Sequence, residues 1–228
     1  MNTSARPAPD PASSPIVYVV DDDPAMTTAL CGLLRSVDIG AEPFHTAQDF
    51  LAYPRPDAPS CLVLDVRLRG GSGLALQDQL NAMHDPLPVV FITGHGDIPM
   101  TVRVMKAGAV DFLTKPFTDH DFLEAVGASL ERDRERRAQR RSADDLAARY
   151  LALSAREREV MQHAASGLMN KQIADRLGIS EVTVKIHRGN AMRKMQARTF
   201  ADLVIMAHEV AGTVPPQPQP AGDERRAA

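Results

Sequence analysis

Five short apolar runs, separated by stretches of helical character, limit most strongly what this chain can fold into. The runs are rich in β-branched residues and do not alternate with polar ones, as expected for strands buried on both faces of a parallel sheet. Alternating units of this size predict an α/β fold with a doubly wound, five-stranded parallel sheet. The predicted strands are residues 16–20, 39–44, 61–65, 89–93 and 109–113. The predicted helices are residues 24–37, 46–53, 72–82, 97–107 and 118–131.

A different pattern begins near residue 150, where the capping residues and glycine breaks of the sequence predict only helices. Two short helices joined by the turn Leu-Gly-Ile-Ser predict a helix-turn-helix within an all-α, four-helix domain. Ser154 (with Glu157 in a capping box), Asn170 and Ser180 are predicted to cap the first three helices, and the fourth is predicted to begin at about Thr199. The first two helices are predicted to end at Gly167 and Gly178. The predicted core residues are Val160, Ile173, Ala174, Leu177, Ile179, Val182, Val184 and Met192.

The domain boundaries follow from changes in composition. Residues 132–149 are dense in charge and lack glycine and proline, which predicts a helical linker. The ends, residues 1–14 and 212–228, predict a disordered lead and a disordered tail. The two folded domains are therefore predicted at residues 15–131 and 150–211.

Charge is divided unevenly between the two predicted domains. Residues 16–130 contain 15 Asp and Glu against 7 Lys and Arg, whereas residues 150–200 contain 9 Lys and Arg against 4 Asp and Glu. The basic second half suits a polyanion such as DNA. No apolar run approaches the length of a membrane span, and the first residues lack the apolar core of a signal peptide. The sequence therefore predicts a cytoplasmic protein with no membrane partner.

Acidic, hydroxyl and amine side chains follow the predicted strands. Asp21, Asp22 and Asp23 end the first strand, and the later strands end at or before Asp65, Thr93 and Lys115. Because the carboxyl ends of parallel strands meet at one edge, we expect these groups to converge there. Clustered carboxylates need a positive charge nearby, and hard oxygen ligands favour Mg²⁺. A carboxylate, Mg²⁺, a lysine and a hydroxyl together favour phosphoryl transfer, with one carboxylate as the nucleophile.

The motifs VVDDDP, CLVLDVRL, FITGHGD and DFLTKPF, in this order and spacing, resemble the receiver domain of response regulators over roughly residues 15–131. The resemblance implies a flavodoxin-like fold in which Asp65 accepts a phosphoryl group. It also implies that Asp22 binds Mg²⁺ directly, that Asp21 acts partly through water, and that the backbone carbonyl of Arg67 completes the metal site. The role of Asp23 stays open between direct participation and capping of the first helix.

The same resemblance assigns the groups around the phosphate. Thr93 is the hydroxyl that follows the phosphoryl group, Phe112 is the switch aromatic, and Lys115 pairs with the phosphate and has a cis bond to Pro116. One departure from the family is Arg69, since a proline usually follows the residue at Leu68. The loop over the site is therefore expected to be looser and more positive than usual.

Residues 153–195 resemble the LuxR-type helix-turn-helix, and the receiver motifs before it make the whole chain similar to the FixJ/NarL class of response regulators. The run GDIPM at 96–100 is similar to the FixJ side of this class. The third helix would lie in the major groove, with Lys185 and Arg188 as the foremost contacts. Gly189, inside this helix, has two open explanations: the helix approaches DNA closely at this position, or the glycine is simply tolerated there. The residues implied in DNA binding are Asn170, Lys171, Thr183, Lys185, His187, Arg188 and Lys194.

The resemblance implies a DNA-binding transcriptional regulator and not a turnover enzyme. A sensor histidine kinase would phosphorylate Asp65. Phosphorylation would then promote a homodimer, release of the helix-turn-helix domain, or both, so that promoter DNA is bound, with RNA polymerase as a further partner. The surface expected to change is formed by the segments 97–107 and 118–131.

Two other functions stay open at this point. A Mg²⁺-dependent phosphatase with an aspartyl nucleophile would need a second acid two residues after that nucleophile, where this chain has Arg67. A DNA-binding protein whose receiver serves only to dimerise would need no phosphate uptake, so a measurement of uptake separates it from a regulated one.

Overall fold

The computed structural model describes residues 14–69, 71–94 and 98–213. The predicted lead and tail lie outside this part of the chain, except for residues 14, 212 and 213. The chain divides into two compact units, here called the first and second units, with the boundary between Ala138 and Gln139. No helix within the described ranges is both long and apolar enough to cross a membrane.

The first unit is built on a sheet whose five long strands are all parallel. The strands are β1 (Ile16–Val20), β2 (Gly40–Phe44), β3 (Ser60–Asp65), β4 (Arg67–Leu68), β5 (Gly71–Ser72), β6 (Val89–Thr93) and β7 (Asp111–Thr114). The order in the sheet is β2-β1-β3-β6-β7, which confirms the predicted fold class. The short strands β4 and β5 form a separate antiparallel hairpin that the sequence did not predict.

Helices cover both faces of this sheet. They are α1 (Pro24–Ser36), α2 (Ala47–Ala52), α3 (Gly73–Ala82), α4 (Ile98–Lys106) and the first part of α5 (Asp119–Leu151). Successive strand residues point to opposite faces, so Tyr18 and Leu62 enter one core cluster while Val17 and Val63 enter the other. Both faces of the sheet are therefore buried, which explains why the strand sequences are continuous apolar runs.

A buried carboxylate fixes α5 against the amino end of β3. Asp133 is fully buried, and its Oδ2 accepts from the backbone amide of Ser60 at 3.0 Å. Arg136 donates to Oδ1 at 2.5 Å and Arg137 to Oδ2 at 2.6 Å, and Arg137 also pairs with Asp57. The buried contacts of Asp133 were not predicted from the sequence. Residues 132–149 are helical, as predicted for the linker, and α5 continues through them without interruption to Leu151.

The second unit contains the end of α5 and four further helices. These are α6 (Ala155–Ala165), α7 (Asn170–Leu177), α8 (Glu181–Met195) and α9 (Phe200–Thr213). The capping box of Ser154 and Glu157 is present, and the αL conformation of Gly178 ends α7. The prediction that Asn170 caps α7 is wrong. The cap is Met169, because the Gln172 side chain accepts from its backbone amide at 2.8 Å.

One predicted core residue of the second unit lies on the surface. Val160, Ile173, Ala174 and Val184 are buried, and Leu177, Ile179 and Met192 are half-buried. Val182, in contrast, is 66 % exposed. It lies two residues from Val184, which is about 200° around the helix, so the two side chains leave opposite sides of α8.

Candidate functional site

The carboxyl edge of the sheet brings together four of the predicted side chains. Lys115 Nζ donates to Asp21 Oδ2 at 2.8 Å and to Asp65 Oδ2 at 2.7 Å. Asp21 is 1 % exposed, and Asp65 and Thr93 are also buried. The Lys115 amide donates to the Thr93 carbonyl at 2.7 Å, which extends the pairing of β6 and β7 into the site. Residues distant in the sequence therefore meet because the parallel strands that carry them are neighbours.

Burial sets the electrostatics of this cluster. Removal from water raises the pKa of Asp21 above the ordinary range of an aspartate, and hydrogen bonds from Lys115 and from the Asp23 amide offset this only in part. Burial alone would lower the pKa of Lys115, but its hydrogen bonds to Asp21 and Asp65 outweigh burial and raise it. Lys115 is therefore charged at neutral pH, and two carboxylates share this one cation.

The other two acids after β1 have different surroundings. Asp22 is half-buried, and its Oδ2 lies 3.0 Å from Arg69 Nε. Asp23 is exposed, and its Oδ1 accepts from the Ala25 amide at 2.9 Å, which caps α1. Of the two roles left open for Asp23, helix capping is the one that its contacts display.

The described residues of the loop over the site form a short paired hairpin. Arg67 pairs with Ser72 and Leu68 with Gly71 in the β4–β5 hairpin. The amide of Gly73 donates to the Val66 carbonyl at 3.0 Å. These contacts connect the residues on both sides of the turn. That the loop is looser than in other members of the family stays a prediction. The added positive charge, in contrast, is present in Arg69.

The remaining predicted groups of this site lie as follows. Phe112 is half-buried and packs against the core cluster that contains Tyr18 and Leu62. The bond between Lys115 and Pro116 is cis, as the resemblance implied. Residues 95–97, which complete the third motif, lie outside the described part of the chain.

The donor chemistry at this edge fits a hard divalent cation. The carboxylates of Asp21, Asp22 and Asp65 are oxygen ligands of the kind that Mg²⁺ prefers. Among the residues that the structure describes, two cations, Lys115 and Arg69, are paired with these three acids, so negative charge is in excess. Among the described residues, no group of three or more His, Cys, Asp or Glu side chains is already gathered as a ligand set. The acids are instead held by the lysine and the arginine.

In the second unit, α8 carries an exposed face of mixed character. Lys185 lies on it, beside Ile186, which is 57 % exposed. Since residues three or four apart share a helix face, these positions form one stripe along α8. The exposed residues of α8 are Glu181, Val182, Lys185, Ile186, Gly189 and Arg193. The sequence analysis placed Val182 in the core and did not name Ile186 and Arg193, although their spacing around Lys185 could have revealed all three.

Other predicted DNA-binding residues make contacts inside the second unit. The Arg188 guanidinium lies 4.1 Å from the centroid of the Phe200 ring, and its Nη1 donates to Asn170 Oδ1 at 3.4 Å. Lys194 Nζ donates to Glu157 Oε2 at 2.7 Å. These two cations therefore stabilise the helix packing.

The three remaining residues of the set differ in exposure. Thr183 Oγ1 lies 2.8 Å from Ser180 Oγ at the start of α8. The buried His187 Nδ1 has no hydrogen-bond partner within the described part of the chain. Lys171 is exposed in the first turn of α7. Only Lys171 and Lys185 of the predicted cations are therefore both exposed and near a helix start.

The two units match two protein families. Residues 17–127 match the response regulator receiver domain, and residues 151–207 match the bacterial regulatory proteins of the luxR family. This pairing implies a sensor kinase and DNA as partners, and receiver domains generally bind Mg²⁺ at the phosphorylation site.

Relatives extend the match over most of the chain. Nodulation protein W of Bradyrhizobium diazoefficiens is 53 % identical over 84 % of this chain and 85 % of its own length. The transcriptional regulatory protein FixJ of Azorhizobium caulinodans is 43 % identical over 90 % of this chain and 96 % of its own length. The structure of the response regulator StyR superimposes with a TM-score of 0.79 and 49 % identity, covering 86 % of this chain and all of that one. The chain therefore belongs to the response regulators, as a receiver domain followed by a LuxR-type DNA-binding domain.

Proposed function

We propose that Asp65 accepts a phosphoryl group from a sensor histidine kinase and that this controls DNA binding by the second unit. The observation that carries the proposal is the Lys115 ammonium held between Asp65 and Asp21, at 2.7 and 2.8 Å. A cation in this position neutralises charge on the oxygens of a phosphoryl group bound to Asp65. Thr93 is buried at the end of the neighbouring strand, which supports its role as the hydroxyl that follows the phosphate.

Mg²⁺ is the cofactor of this proposal. Asp22 and Asp65 would hold it with the backbone carbonyl of Arg67, and Asp21 would act partly through water. When bound, the metal neutralises negative charge on the phosphoryl oxygens. The side chain two residues after Asp65 is the cation of Arg67 and not a second acid, so we propose a phosphoacceptor that assists its own phosphorylation rather than a phosphatase.

The proposed switch runs from Thr93 to Phe112. An acyl phosphate offers new oxygens to Thr93 and Lys115, and movement of Thr93 toward them opens space that the half-buried Phe112 ring can fill. This repacks the surface of α4 and of the start of α5, which favours a homodimer, release of the second unit, or both. A two-fold dimer would place two α8 helices on half-sites about 34 Å apart.

For promoter DNA, we propose α8 as the reading helix and Lys185 as its foremost contact. Lys185 lies on the exposed stripe, where it can reach guanine edges or phosphates. Asn170 and Lys171, at the start of α7, suit a phosphate. RNA polymerase at the promoter and a cytoplasmic location complete the proposal. The other proposed contacts are Thr183, His187, Arg188 and Lys194.

Phosphate uptake tests the first unit. Wild type incubated with Mg²⁺ and acetyl phosphate is expected to gain the mass of one phosphate, and Asp65→Ala is expected to gain none. Asp78→Ala, which removes an exposed carboxylate from α3, is the matched control and should label like wild type. Equal labelling of Asp65→Ala would contradict the assignment. Absence of labelling in wild type would favour a receiver that serves only to dimerise.

A gel shift with and without phosphodonor tests the second unit. Lys185→Ala is expected to weaken specific binding by about 1–3 kcal/mol if it contacts a base edge. If Lys185 contacts only phosphate, affinity should fall on every sequence and the salt slope should shrink by about one unit. Arg156→Ala removes an exposed charge from α6 and serves as the control. Unchanged binding by Lys185→Ala would place the reading surface elsewhere.

A further inference from the structure

Arg69 lies beside the acidic edge, where it follows the short strand β4. It follows the two residues of β4, and the β4–β5 hairpin returns the chain directly to α3. Leu68 is buried in the core on one side of Arg69. On the far side of the hairpin, a Cβ atom at Gly73 would lie 2.2 Å from the Asp65 carbonyl oxygen. The chain that leaves the hairpin at Gly73 therefore packs closely against the end of β3, next to Asp65.

The side chain of Arg69 uses this position to reach an acid of the site. Its Nε lies 3.0 Å from Asp22 Oδ2, although the Arg69 side chain is 87 % exposed. Lys115 is engaged with Asp21 and Asp65. Asp21, Asp22 and Asp65 thus each have a cation of the chain itself as a partner. The partner of Asp22 is the one that reaches in from solvent.

We propose that Arg69 is an internal counter-cation that competes with the divalent metal for Asp22 and so sets the metal affinity of the site. The inference rests on the proposed function, in which Asp22 holds Mg²⁺. A carboxylate paired with a guanidinium is less available to a metal, and the nearby positive charge repels a divalent ion. Arg69 is a positioning residue, because it acts through Asp22.

The size of the effect follows from the exposure of Arg69. An exposed ion pair is weak, but its charge adds repulsion toward a doubly charged ion only a few ångströms away. Removal of the charge is expected to tighten Mg²⁺ binding about threefold to tenfold. Because solvent ions screen exposed charges, the gain should shrink between about 0.05 and 0.5 M salt.

Calorimetric titration of the full chain with Mg²⁺ tests the proposal. Arg69→Gln is expected to lower the Kd for Mg²⁺ about threefold to tenfold, and Arg69→Lys, which keeps the charge, should stay near wild type. Arg132→Gln is the matched control, because it removes an exposed arginine beside Asp133, at the opposite end of β3. A Kd for Arg69→Gln that equals wild type, or a weaker one, overturns the proposal.

Labelling of the same samples with acetyl phosphate distinguishes a failure of the role of Arg69 from a failure of the proposed function. If wild type labels on Asp65 while Arg69→Gln leaves the Kd unchanged, the role of Arg69 fails and the proposed function stands. If wild type binds no Mg²⁺ and takes up no phosphate, both fail.

Discussion

Two clusters of buried carboxylates lie at opposite ends of β3, and they differ in how their charges are balanced. At the last residue of β3, Asp65 and Asp21 share Lys115. At the first residue, the amide of Ser60 and two arginines of α5 surround Asp133. Counting Asp22 and Arg69, the first cluster has three acids and two cations. Counting Asp57, the second cluster has two acids and two cations.

The pKa values respond in opposite directions. Burial dominates at Asp21 and raises its pKa. Burial would do the same at Asp133, but hydrogen bonds from Arg137, Arg136 and the Ser60 amide outweigh it and hold the pKa of Asp133 below its usual range. Asp21 and Asp133 are buried to a similar extent, yet the surroundings of Asp21 favour its protonated form and those of Asp133 favour its ionised form.

The comparison teaches which buried charges serve structure and which serve chemistry. A carboxylate whose charge is fully compensated gains nothing from a further cation, so it anchors the fold. A cluster with excess negative charge is more stable with an added cation and keeps an acid available to react. On this basis the Asp133 cluster is an anchor for α5, and the Asp65 cluster is the site that we propose to be reactive.

The largest expected effect comes from removing the anchor. Asp133→Ala leaves two arginines without their buried acceptor, and is expected to lower the free energy of unfolding of the first unit by about 3–5 kcal/mol. Urea denaturation followed by circular dichroism measures it. Glu131→Ala removes an exposed acid, paired with Arg134, from the same helix, and is expected to cost less than about 1 kcal/mol. Similar small losses of stability in both variants would show that Asp133 does not anchor α5.

The pH dependence of this anchor has a defined sign. Because the pKa of Asp133 is lower in the folded protein than the value of about 3.9 in an unfolded chain, its stabilisation is present above about pH 4. It is lost as pH falls further, through the folded pKa. The difference in stability between wild type and Asp133→Asn should therefore narrow from pH 7 to pH 3. A difference that widens on acidification would contradict the assignment.

The next effect concerns the backbone that holds the reactive cluster. Gly73→Ala places a Cβ atom against the Asp65 carbonyl, and is expected to cost about 1–3 kcal/mol and to reduce phosphate uptake. At Gly71, in the same hairpin, an added Cβ meets no atom within 4 Å. Gly71→Ala should therefore leave stability and labelling near wild type. Equal behaviour of the two variants would show that close backbone packing does not position the site.

The smallest expected change in the free energy of unfolding is a gain in stability. Because the pKa of Asp21 is raised in the folded protein, its ionised form opposes folding increasingly as pH rises through that pKa. Asp21→Asn removes the titration and is expected to stabilise the first unit at pH 7, by less than about 2 kcal/mol. The urea midpoint should rise while Mg²⁺ binding weakens. A loss of stability like that of Asp133→Ala would show that Asp21 also serves as an anchor.

Much of the fold and of the reactive site could be predicted from the sequence. Strands β1 and β6 have the predicted bounds, because apolar runs buried on both faces have no other stable place. The groups Asp21, Asp65 and Lys115 meet as expected, since strand ends in a parallel sheet share one edge. The β4–β5 hairpin was missed, because two-residue strands leave no periodic pattern.

The sequence by itself determined the two domain types, the sheet and the convergence of the acids, because periodicity and strand-end position depend on local residue order. Tertiary structure alone decided which charged side chains are paired with other residues of the chain. From the sequence, Asp133 is part of a charged linker and Arg188 and Lys194 are predicted DNA contacts. In the structure they contact Ser60, Phe200 and Glu157. These partners are distant in the sequence. Whether a charge is paired, buried or available depends on distances that only the packed chain sets.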